Sequence, residues 1–175
     1  MAIYALGDRV PQIDPTAFVH PDATVIGAVT IGPESNVWPH AVLRGDYGEI
    51  TVGARTSVQD GSVIHATPMI ATHIGDECII GHLVHMECCV IEDRALVGSG
   101  SIVLHRALVS IEALVGAAAL VPNGMEVPSR AMALGVPAKL RLDAVTDEIL
   151  EDNRRNVAGY VANAQYYRDQ LRRLD

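Results

Sequence analysis

Aliphatic residues recur every six positions through the middle of the chain. Ile31, Val37 and Leu43 open the series; Val52, Val58 and Ile64 continue it after a nine-residue step, and Ile74, Ile80 and Met86 after a ten-residue step. A five-residue step reaches Ile91, and Val97, Val103, Val109, Val115 and Val121 then follow at sixes. Neither the helical period of 3.6 nor the strand period of 2.0 produces this spacing. A β-sandwich would need alternation within each strand and turn signals every 8–12 residues.

Three such hexapeptides make one triangular coil with its aliphatics pointing inward, and successive coils stack at the strand spacing of ~4.8 Å. The pattern predicts a mainly β chain: a parallel β-helix over residues 1–140 and a C-terminal helical segment over 141–175. Glycine often follows the aliphatic (Gly32, Gly53, Gly75, Gly81, Gly98, Gly116), and the fifteen glycines suggest many tight corners. The breaks in period place loops at Tyr47-Gly48-Glu49 and at Ala66 to Thr72. Gly135-Val136-Pro137-Ala138-Lys139 reads as a turn leading away from the prism. Beyond it Thr146 can cap a helix, with Asp147 and Glu148 in the first turn complementing the dipole. Ile149, Asn153, Val157, Tyr160, Ala164, Tyr167 and Leu171 form its apolar stripe, which should cover the prism or a neighbouring subunit. Open coil ends and a flat aliphatic wall favour oligomers.

Composition narrows the picture. Hydrophobic residues make up 49% but aromatics only 4%, so the core is built of small branched side chains. The net charge of −8 argues against nucleic acid or anionic membrane as a partner. No apolar run reaches the ~18 residues of a membrane span, and the N-terminus does not read as a secretion signal. Three cysteines, two of them adjacent, argue against a disulfide framework and fit a reducing cytoplasm.

Counting in sixes also decides which side chains are neighbours. Arg44, His65 and Glu87 each follow an inward residue of the same face, so they should stack in one column. An imidazole and a carboxylate one strand spacing apart can share a metal ion. His82 follows Gly81 on another face and is placed to reach a neighbour's metal across an oligomer interface. His85 falls beside a corner, outside the column. Cys78, Cys88 and Cys89 read as small buried hydrophobes, and Trp38 as packing at a coil corner. His20, His40, His73 and His105 read as surface or turn histidines.

The segments Leu43-Arg44-Gly45-Asp46, Val58-Gln59-Asp60, Ile64-His65 and Ile80-Gly81-His82, with Gly135-Val136-Pro137-Ala138-Lys139, resemble the motif set of the γ-class carbonic anhydrase family. The resemblance runs from about Ile3 to Lys139 and more loosely to Tyr167. It implies a left-handed coil, although parallel crossovers are otherwise right-handed. It also implies a homotrimer with zinc at each subunit interface, and a lyase interconverting carbon dioxide and bicarbonate. His65 and His82 match the first two of the family's three histidine ligands. The third position is Glu87, a departure. Two histidines and a glutamate form an established zinc set, and the same donors suit ferrous iron. By resemblance, Gln59 orients the reacting water or bicarbonate, and Tyr160 approaches the site from the helix. Arg44 and Asp46 bridge subunits, and Asp60 joins that network. Glu87 keeps two other functions in view: a hexapeptide-repeat acyltransferase or thioesterase acting on a coenzyme A ester, and a non-catalytic scaffold with a degenerate metal site.

Overall fold

The computed structural model describes residues 2–174. The chain winds as a left-handed parallel β-helix of about seven turns, followed by one helix, α1 (Asp147–Gln170). Each turn contributes to three walls. Ile31, Val52, Ile74, Ile91, Val109 and Val127 stack on the first wall. Val19, Val37, Val58, Ile80, Val97 and Val115 stack on the second. Val25, Leu43, Ile64, Met86, Val103 and Val121 stack on the third. All of these side chains are buried and fill one continuous core. The six-residue phase of the sequence is the phase of this stack.

The glycines do not make most of the corners. From Cys88 to Arg130 every sixth residue is left-handed, with φ between 54° and 70°: Cys88, Arg94, Gly100, Arg106, Glu112, Ala118, Gly124 and Arg130. Only two of these are glycine. A left-handed L-residue costs roughly 1–2 kcal/mol, and hydrogen bonds to the coil before it offset that cost, as from Arg106 N to Cys88 O at 2.7 Å and from Arg94 N to Asp76 O at 2.8 Å. Glycine is needed instead where coils touch. A Cβ on Gly32 would lie 2.7 Å from the Gly53 carbonyl, and one on Gly53 would lie 2.6 Å from that of Gly75.

Three local expectations need correction. Tyr47-Gly48-Glu49 is not a loop outside the wall: Val42–Val52 is one continuous strand, bulged where its register against Thr24–Ile31 shifts between Gly27 and Val29. The next coil's Thr67–Ile70 turn closes over this bulge, and a Cβ on Gly48 would meet the Thr67 carbonyl at 2.2 Å. The turn at Gly135 does not carry the chain away. Lys139–Arg141 folds back antiparallel on Met132–Leu134 and covers the end of the second wall.

The third correction concerns the helix. Its buried residues are Leu150, Val157, Val161 and Ala164, and Leu171 lies past its end as the C-cap. Thr146 caps it as expected, accepting from Ile149 N. The helix lies along the second wall, where Tyr167 meets Phe18 and Trp38 edge to face. Trp38 is thus buried beneath the helix, its indole N–H donating to Asn36 Oδ1 at 2.7 Å. His20, read as a surface or turn residue, stands beside the Pro21–Asp22 turn but is buried against the Phe18 ring, with Nδ1 accepting from Asp22 N.

Candidate metal centre

The strand Val63–His65 lies between Val42–Val52 and His85–Glu87, pairing Arg44 with His65 and His65 with Glu87. Because Leu43, Ile64 and Met86 point inward, the residues beside them point out of the third wall. His65 sits between two carboxylates: Nδ1 lies 2.7 Å from Glu87 Oε1, and Nε2 lies 3.0 Å from Asp46 Oδ1. The other oxygen of Asp46 accepts from the Arg44 guanidinium, so this pair closes within one chain. The Tyr47 ring stands edge-on to His65, with ring centres 6.5 Å apart. His85 pairs with Val63 and lies outside the column.

His105, read as a turn residue, does sit in a turn, but it reaches the site. Its Nε2 lies 3.1 Å from Glu87 Oε2. One signal in the sequence pointed to it: His105 lies one coil after Glu87. It follows Leu104, the residue in register after Val103, and so sits one position off the column.

The remaining candidates lie elsewhere: Gln59 directly follows a second-wall strand, Asp60 and His82 sit in the turns between the second and third walls, and Tyr160 is on α1. His82 is half-exposed, with Nδ1 held 2.9 Å from Asp60 Oδ2. Gln59 is buried, and its amide donates to Ser57 Oγ at 2.6 Å. Tyr160 is half-buried on α1. Arg44, Asp46, His65 and Glu87 therefore form one group, Asp60 and His82 form a separate pair at a corner, and Gln59 and Tyr160 stand apart from both.

The electrostatics favour charged carboxylates on the third wall. The hydrogen bond from His105, joined by that from His65, holds the Glu87 carboxyl below its ordinary range despite burial. Burial pushes the Asp46 carboxyl up, but hydrogen bonds with His65 and Arg44 outweigh it, and the carboxyl is lowered.

The donor set fits a divalent ion. His65 presents one nitrogen to a carboxylate in its own column. Its other nitrogen is bound by Asp46, which is how metal-ligating histidines are commonly oriented. Glu87 carries an anionic oxygen, and the His82 imidazole, 52% exposed, is paired with Asp60 away from this group.

Known proteins place the chain in context. No family model matches it. The carnitine operon protein CaiE of a Proteus strain is 36% identical over 160 residues, covering 91% of this chain and 81% of CaiE. Gamma carbonic anhydrase 2, a mitochondrial protein of Arabidopsis thaliana, is 36% identical over 166 residues, covering 91% of this chain and 59% of the plant protein. A solved Bacillus cereus structure, provisionally labelled an acetyltransferase, superposes with a TM-score of 0.94 at 35% identity, covering 97% of this chain and 98% of that one. With this coverage, the shared coil architecture and the motifs around His65 and His82, the chain belongs to the γ-class carbonic anhydrase-like family of hexapeptide-repeat proteins.

Proposed function

We propose that the protein is a metal-dependent lyase hydrating carbon dioxide, with zinc held between subunits of a homotrimer by His65 and Glu87 of one copy and His82 of the next; ferrous iron is the alternative ion. The observation that carries this reading is the split arrangement of the donors. His65 and Glu87 meet at 2.7 Å on the third wall, while His82 stands half-exposed in the turn before it, oriented by Asp60. Outward Val63 and Ile102 on the third wall, 37% and 40% exposed, supply apolar surface for a neighbouring copy.

A bound ion of this kind supplies Lewis acidity near neutral pH. Asp46 fixes the ring orientation of His65 and decides which nitrogen faces Glu87. Glu87 adds negative charge that an imidazole would not, so the centre is less acidic than a three-histidine one and hydration near pH 7 is slower. Gln59 is assigned to positioning water or bicarbonate and Tyr160 to approaching from the helix, both on the copy that supplies His82.

The test is metal content by elemental mass spectrometry and carbon dioxide hydration by stopped flow, for wild type, His65→Ala and His82→Ala. Bound zinc or iron with measurable hydration in wild type, and hydration lost with lowered metal content in each variant, is the expected result. Wild-type protein that stays metal-free after reconstitution overturns the proposal. The Bacillus cereus structure's label favours a second reading, acyl transfer from a coenzyme A ester. Calorimetric titration with coenzyme A checks it, and binding with no metal requirement would favour that reading.

A further inference from the structure

We propose that Glu87, Cys88 and His105 of a single chain form a second metal centre, intramolecular and selective for a borderline-soft divalent cation such as zinc. A carboxylate oxygen, the Cys88 sulfur and an imidazole nitrogen lie within 4.8 Å of one another, and the Glu87–His105 pair is already at 3.1 Å. Tetrahedral zinc, with bonds of about 2.0–2.3 Å, sets its ligands about 3.3–3.8 Å apart. Small side-chain shifts therefore bring the three donors onto one ion. The ion takes the place of the proton shared by Glu87 and His105, the Cys88 thiol releases its proton, and His105 binds through the Nε2 lone pair.

The corner geometry selects Cys88 for this role. The five-residue step from Met86 to Ile91 forces a left-handed corner at Cys88, with φ 54°. Cys89 then turns into the aliphatic core, and Cys88, equally buried, lies outside that cluster. Burial pushes the thiols of Cys78 and Cys89 up to about 12, and both are committed to the core. The Cys88 thiol instead donates to Thr67 Oγ1 at 3.2 Å and accepts from Thr67 N at 3.2 Å. Two anionic donors and a neutral imidazole balance a divalent charge, so the buried ion is not left uncompensated. His105, with 35% of its side chain exposed, gives the ion a route in.

Glu87 stands where the family's third histidine falls, and the substitution matters here. A carboxylate has two oxygens. Oε1 faces His65 and Oε2 faces His105, so one side chain serves both centres. The inference does not depend on the interface centre.

The test is cobalt(II) titration of the full-length protein in reducing buffer, followed by absorption. A thiolate-to-cobalt charge-transfer band in the near ultraviolet is expected. Cys88→Ser should abolish it, His105→Ala should weaken cobalt affinity at least ~10-fold, and Cys89→Ala and His82→Ala should retain it. Cobalt binding without the band, a band surviving Cys88→Ser, or no cobalt binding overturns the proposal. If Cys88→Ser does not fold by circular dichroism, His105→Ala decides alone, and unchanged affinity overturns the proposal. Cobalt signals lost in His82→Ala, with Cys88→Ser unaffected, would leave the interface centre standing and remove this one.

Discussion

Two columns of alternating charge climb the prism, and they differ in their cations. At the corner between the first and second walls, Arg55 bonds Glu34 at 3.1 Å and Glu77 at 3.3 Å. Higher up, Glu112 takes Arg94 at 3.1 Å and Arg130 at 3.8 Å, and Arg130 also holds Asp147 at the start of α1. On the third wall the order is Arg44, Asp46, His65, Glu87, His105. Both follow the same coil-to-coil rise. A guanidinium has no lone pair to give and stays charged, so the corner column can only hold coils and helix together. An imidazole exchanges its proton for a metal bond near neutral pH. Stacking makes a ladder in either place, and the titration chemistry of the cation makes only one of them a candidate centre.

Substitutions can separate the two columns. The largest effect is expected beneath the third-wall column. Ile64→Ala removes a fully buried side chain between the Leu43 and Met86 layers, and should cost about 2–5 kcal/mol by urea denaturation, abolishing metal uptake with the fold. Glu87→Gln should keep the fold but lose metal affinity roughly 10-fold or more, read by competition with a chelating dye. If its metal affinity is unchanged, the third-wall column is structural like the other.

Arg55→Ala should do the reverse. Stability should fall by about 0.5–1 kcal/mol, less in high salt, with metal content unchanged. Asp147→Asn should give the smallest effect, a slight lowering of melting temperature. Arg130 lowers the Asp147 carboxyl below its ordinary value. Its contribution is therefore fully present above the ordinary carboxylate range and disappears as pH falls through the lowered folded value. Melting curves of wild type and Asp147→Asn should converge in acid.

Much of the candidate centre was legible because register in a stacked coil reduces to counting. Inward Leu43, Ile64 and Met86 place Arg44, His65 and Glu87 in a column without any coordinates. The corner ladder was legible by the same count but carried no motif. His105 escaped because it sits one position off the column, in a turn, where reach depends on side-chain length and backbone direction. The bulge at Tyr47 escaped because a nine-residue step says that extra chain exists, but not whether it leaves the wall or stays hydrogen-bonded within it.

The sequence by itself determined the coil, the inward layers and the sharing of one face by a histidine and a glutamate, because a six-residue period admits one stacking phase. Both cysteines of the adjacent pair are buried, and tertiary structure alone decided which of them leaves the aliphatic core. The shortened step at Met86–Ile91 breaks the phase there, and the corner dihedral of Cys88 then sets which thiol meets Glu87 and His105 and which is sealed in the core.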